Sequence, residues 1–153
     1  MKYALVLALS HQAELLIMDE PTSGLDPLVR RQFLEIIMDY MKNGGKGVFF
    51  STHITSDLDK VADVLILIDG GKIVFQQSKD ELLDTFRIVK GSVALLNDRN
   101  KRLIRNLKIS TYGFSALTDR IADVKKEMPG VLFEKASIED IMLAYVGGKS
   151  DGR

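Results

Sequence analysis

Thirteen consecutive residues constrain this chain more than any others: Leu15-Leu16-Ile17-Met18-Asp19-Glu20-Pro21-Thr22-Ser23-Gly24-Leu25-Asp26-Pro27. The run from Glu14 to Met18 is continuously apolar after its first residue, which predicts a strand buried on both faces. It ends in two adjacent acids, then a Pro/Ser/Gly turn, then a third acid before a proline. In α/β folds, ligands bind beyond the carboxyl ends of the strands. The order therefore carries Asp19 and Glu20 to a binding rim. Magnesium takes oxygen ligands and keeps several waters, so the Asp19 carboxylate alone can hold it through water. Glu20 can orient a water for attack on a phosphate. A lone acid pair after a strand fits a solvated turn equally well; the complete string is what favours chemistry.

A second apolar run, Val48-Phe49-Phe50, ends in Ser51-Thr52-His53, 33 residues after Glu20. Gly47 to Ser51 is expected as another buried strand. A histidine at its end can bond a terminal phosphate or hold the attacking water; the plainer alternative is a capping role. His11 closes an apolar stretch over residues 2–11, expected as a buried helix, and there capping is the better reading.

The rest of the chain alternates strand and helix patterns. Asp26 is a candidate N-cap for a helix with Pro27 in its first turn. Phe33, Ile36, Ile37 and Met41 follow at helical spacing, and Asn43-Gly44-Gly45 supplies a glycine end. Thr55 or Ser56 opens a helix to about Ala62. Val64 to Ile68 and Ile73 to Gln76 flank the turn Asp69-Gly70-Gly71-Lys72 as a hairpin. Ser78-Lys79-Asp80-Glu81 is a capping-box pattern opening a short helix. Beyond it, strands are expected over Phe86–Val89, Val93–Leu96, Ser110–Leu117 and Val131–Phe133. Helices are expected over Asn100–Asn106, Asp119–Met128 and Ser137–Tyr145. The residues after Gly147 read as a disordered tail. Strands alternating with helices predict an α/β fold with a mainly parallel sheet, an antiparallel edge hairpin and a small α+β appendage.

Composition removes several function classes. The 153 residues carry 21 Lys+Arg and 21 Asp+Glu, so no basic excess marks a nucleic-acid binder. Residues 1–77 hold 7 basic and 10 acidic side chains, and residues 78–153 hold 14 and 11, a mild asymmetry of solvated surface. There is no cysteine, which excludes disulfides and thiolate metal sites. No apolar run approaches the roughly 20 residues that span a bilayer.

Asp19-Glu20, Ser23-Gly24-Leu25-Asp26 and Ser51-Thr52-His53 together resemble the Walker B, D-loop and H-loop segments of ABC-transporter ATPase subunits. The resemblance implies part of a P-loop NTPase fold over residues 1–85, an accessory α+β region over 86–147 like that of a bacterial subgroup, and a tail over 148–153. It implies ATP and Mg²⁺ as cofactors, Glu20 and His53 as catalytic residues, Asp19 on Mg²⁺, and Ser23 and Asp26 on nucleotide. The implied partners are a second ATPase subunit and transmembrane permease subunits. The implied location is cytoplasmic, at the inner face of the membrane through those permeases.

The chain also departs from that family. It contains no Gly-x-x-x-x-Gly-Lys-Ser/Thr phosphate loop, and Gly147-Gly148-Lys149-Ser150 lacks the first spaced glycine and the following helix. The Q-loop and the Leu-Ser-Gly-Gly signature are absent too, and Met1 falls almost where that signature should end. Each charge-assisted hydrogen bond to phosphate is worth roughly 1.5–3 kcal/mol. Losing about four of them approaches the ~8 kcal/mol of micromolar binding. The expectation is little ATPase activity for the chain alone. Two other readings compete: a non-enzymatic truncated dimerisation or regulatory module, and a soluble ABC-type ATPase of DNA repair or translation. The latter usually carries coiled-coil insertions or tandem domains, and neither pattern is present.

Overall fold

The computed structural model describes residues 13–42 and 46–146. The expected helix over 2–11, the glycine end at 43–45 and the tail after 147 lie outside them. The chain divides into two compact units, Met1–Ala62 and Asp63–Arg153. The division by compactness falls before the hairpin, whereas the resemblance implies one after Thr85.

In the first unit, β1 (Leu15–Asp19) and β2 (Gly47–Ser51) pair in parallel, with Leu16 opposite Val48 and Asp19 opposite Ser51. Between them runs α1 (Pro27–Lys42), followed after β2 by α2 (Thr55–Val61). Asp26 caps α1 as expected: its Oδ1 accepts from the backbone N–H of Leu28 and of Val29, both at 3.1 Å. Phe33, Leu34, Ile37 and Tyr40 bury one stripe of α1 against Leu16, Val48 and Phe50. The Tyr40 hydroxyl donates to the Ala13 carbonyl, which pins the last turn of α1 to the entry of β1.

The expectation that β1 and β2 are buried on both faces is corrected. Ile17 is 73% exposed and Leu15 and Phe49 more than half exposed. Only alternate residues meet α1; no described element of this unit covers the other face, so period 2 decides which side chains are buried.

The second unit begins with β3 (Val64–Asp69) and β4 (Lys72–Ser78), an antiparallel hairpin running from Val64 opposite Ser78 to Asp69 opposite Lys72. Gly70 and Gly71 turn it with φ of +56° and +74°, the left-handed pair that this tight turn requires. The hairpin forms its own two-stranded sheet. Ser78 caps α3 (Lys79–Thr85), its Oγ accepting from the Glu81 N–H at 3.2 Å.

A four-stranded antiparallel sheet follows, in the order β6-β7-β5-β8. Its strands are β5 (Arg87–Gly91), β6 (Arg105–Ser110), β7 (Gly113–Thr118) and β8 (Leu132–Lys135). Val89, Phe114 and Ala116 on one face pack with Val124 and Met128, at and beside α5 (Ile121–Glu127). The last helix, α6 (Ile138–Val146), buries Ile138, Ile141 and Ala144. Ser137 and Asp140 close its start reciprocally, through Asp140 N–H to Ser137 Oγ and Ser137 N–H to Asp140 Oδ2.

Three expected elements of this region are corrected. Val93–Leu95 is a 3₁₀ turn rather than a strand, because Ser92 caps it by accepting from the Ala94 N–H. The helix expected over Asn100–Asn106 stops early: α4 is Asp98–Lys101, capped by Asn97, and Arg105 already begins β6. Ser110–Leu117 is not one strand, because Thr111-Tyr112 turns the chain between β6 and β7.

Candidate active site

The parallel register sets Asp19 and Ser51 side by side at the carboxyl ends of β1 and β2. Ser51 Oγ donates to Asp19 Oδ1. The next residue, Glu20, leaves the strand with φ +44°, the left-handed region that side chains other than glycine rarely adopt. Its N–H is held by Ser51, at 3.1 Å from both the carbonyl and Oγ. That twist turns the Glu20 carboxylate toward the loop after β2. There His53 Nδ1 lies 2.8 Å from Glu20 Oε1.

An ionised carboxylate can only accept, so Nδ1 is the nitrogen that donates. The imidazole is 71% exposed and the glutamate side chain 35%, so both remain open to a ligand. Glu20 Oε2 is buried and meets no hydrogen-bond donor among the described residues. A carboxylate oxygen in that state fits an ordered water, the role a water-orienting acid requires.

The five candidate residues do not form one cluster. Asp19, Glu20 and His53 lie at the ends of neighbouring strands. Ser23 is exposed in the turn, where its N–H donates to the Glu20 carbonyl at 3.1 Å. Asp26 spends its carboxylate on the α1 cap.

Among the described residues no three His, Cys, Asp or Glu side chains gather as a metal cage. That donor set fits Mg²⁺ bound by one carboxylate, with water and phosphate oxygens completing its shell. It does not supply the backbone amides and lysine that grip a triphosphate.

The sequence reading missed one buried network. Asp57, in α2, is fully buried. Its Oδ2 accepts from Thr22 Oγ1 at 2.6 Å, and its Oδ1 from Arg30 Nε at 2.7 Å. Arg30 Nη2 donates further to Ser56 Oγ at 2.8 Å. The available signal was an acid on the buried side of a short helix, four residues after His53.

Comparison with known proteins finds similar sequences. A family described as "AAA domain, putative AbiEii toxin, Type IV TA system" matches residues 2–59. An uncharacterised ABC transporter ATP-binding protein of Nostoc is 45% identical over 76 residues, 50% of this chain and 22% of that protein. A Mycoplasma pneumoniae protein named "Putative ABC transporter ATP-binding protein" is 33% identical over 95% of this chain and 46% of its own length. The energy-coupling factor transporter ATP-binding protein of Lactobacillus johnsonii is 26% identical over 91% of this chain and 47% of its own. The chain spans less than half the length of each of these relatives. The chain, with its acid pair and its histidine side by side at the strand ends, is thus similar in sequence to part of ABC-transporter ATP-binding proteins.

Proposed function

We propose that this chain provides the hydrolytic end of an ABC-transporter ATPase. The observation that carries the reading is the Glu20–His53 pair, 2.8 Å apart at the ends of two parallel strands, with Glu20 Oε2 buried and meeting no donor among the described residues. Asp19 would hold Mg²⁺, which when bound would offset charge on the phosphates, and Ser51 Oγ fixes the rotation of the Asp19 carboxylate. Glu20 orients the attacking water and receives its proton. His53 keeps Glu20 in place through Nδ1 and reaches toward the terminal phosphate with the rest of its exposed ring. When bound, Mg²⁺-ATP supplies the phosphorus that is attacked. Ser23 and Asp26 belong to the loop that faces a second ATPase subunit.

No helix among the described residues is long and apolar enough to cross a membrane. The likeness to ABC-transporter ATP-binding proteins supports permease subunits as its partners, with this chain at their cytoplasmic face.

The 153 residues contain no phosphate loop, so the chain alone binds nucleotide poorly. The same fact favours a second reading, a non-catalytic regulatory or dimerisation module. Calorimetry and hydrolysis assays separate the two. The chain alone shows no saturable Mg²⁺-ATP binding below about 1 mM. Fused behind the nucleotide-gripping segment of an ABC ATPase, it binds ATP at micromolar concentration and hydrolyses it. A folded fusion that binds ATP without turnover would favour the regulatory module.

A further inference from the structure

We propose that Asp57 is a positioning residue, a buried latch that holds His53 against Glu20 by tying the turn after Glu20 to the helix after His53. The inference rests on the proposed function for the purpose of the pair; the pairing itself is read from its geometry.

Thr22 lies two residues beyond Glu20, and Asp57 four beyond His53. Their side chains are 1% and 0% exposed and bond at 2.6 Å. Asp57 gives its other oxygen to Arg30 on α1, the helix that the Asp26 loop opens. The Glu20–His53 contact is exposed, and exposed ion pairs are too weak to hold two loops in register. Besides that contact, the strand-end bonds from the Glu20 N–H to Ser51 anchor Glu20 but do not reach past Ser51, and Ser56 is tied to the first helix only by an exposed bond from Arg30. The buried, charge-assisted contacts of Asp57 close that gap. A buried ion pair adds little net stability over apolar packing, whereas it fixes one geometry among several. That property suits a residue that sets where an imidazole points.

The test uses the ¹⁵N-labelled chain and the ring nitrogen signals of His53, assigned by their loss in His53→Gln. Glu20→Ala, which leaves no acceptor, sets the shift expected when the pair is lost. Asp57→Asn and Thr22→Val, folded by circular dichroism, should move the His53 signals at least half as far. Thr22→Ser keeps the hydroxyl and should leave them in place. If Asp57→Asn does not fold, the Thr22 variants decide the matter.

His53 signals at their wild-type positions in folded Thr22→Val or Asp57→Asn, with Glu20→Ala shifted, overturn the latch alone. Signals unmoved in Glu20→Ala overturn the latch and the pair it serves. Failure of the functional reading shows instead in the hydrolysis assay, with the ring signals behaving as expected.

Discussion

Glu20 is a long side chain held in a conformation that suits glycine, with φ +44°. Left-handed backbone costs an L-residue about 1–2 kcal/mol. Glu20→Gly and Glu20→Ala lose the same carboxylate, yet the glycine variant should be more stable in urea by about 1 kcal/mol. Equal midpoints would mean that Glu20 carries no such strain. Strain kept at this position is what a working group, rather than a solvated turn, explains. Asp26→Ala should cost about 1 kcal/mol through the lost α1 cap, read from the same unfolding curves. A loss near zero would mean that its bonds to Leu28 and Val29 contribute nothing in solution. At this scale the sequence exposed Asp19, Glu20 and His53, because strand, acid pair and histidine leave a linear signature. Asp57 left only the faint one of an acid on a short helix after His53: its partners Thr22 and Arg30 lie 35 and 27 residues away, and only the folded unit brings them together.

Among the elements, those with strong local signals formed as expected. The Asp26-Pro27 start of α1, the Gly70-Gly71 hairpin, and the caps at Ser78 and Ser137 each carry their own chemistry. The region between Val93 and Leu117 misled for a physical reason. Its apolar residues have no clear period, and its ends are set by Asn97 capping and by the turn at Thr111-Tyr112 rather than by propensity. The decisive residue there is Gly113, at φ +137°, where an added Cβ would lie 2.4 Å from the Gly91 carbonyl oxygen. Gly113→Ala should therefore cost at least about 2 kcal/mol and loosen the β5–β7 pairing, visible as faster amide exchange in both strands. Unchanged exchange would show that the backbones are not so closely apposed. In α1, Leu34 is 1% exposed, and Leu34→Ala should cost about 2–5 kcal/mol.

For the whole molecule, both units leave apolar surface uncovered. Leu15, Ile17 and Phe49 are exposed on one, and Val64, Ile68 and Ile73 on the other. Surface of that kind associates. Sedimentation of the chain should show species heavier than 17.1 kDa, and Ile17→Lys should reduce them. A strictly monomeric chain would contradict this. The likeness to ABC-transporter ATP-binding proteins and the strand-end placement of Asp19, Glu20 and His53 were legible in the sequence because both sit in short contiguous motifs. The exposure of β1 and β2 was not, since an apolar run reports what a strand can bury and is silent on what covers it. The most direct test of the central claim is the single-turnover hydrolysis rate of the ATP-competent fusion carrying Glu20→Gln. The account predicts ATP affinity within about threefold of the unsubstituted fusion and a rate lowered by about 100-fold or more, since general acid–base groups contribute on that order. A rate within twofold would contradict it.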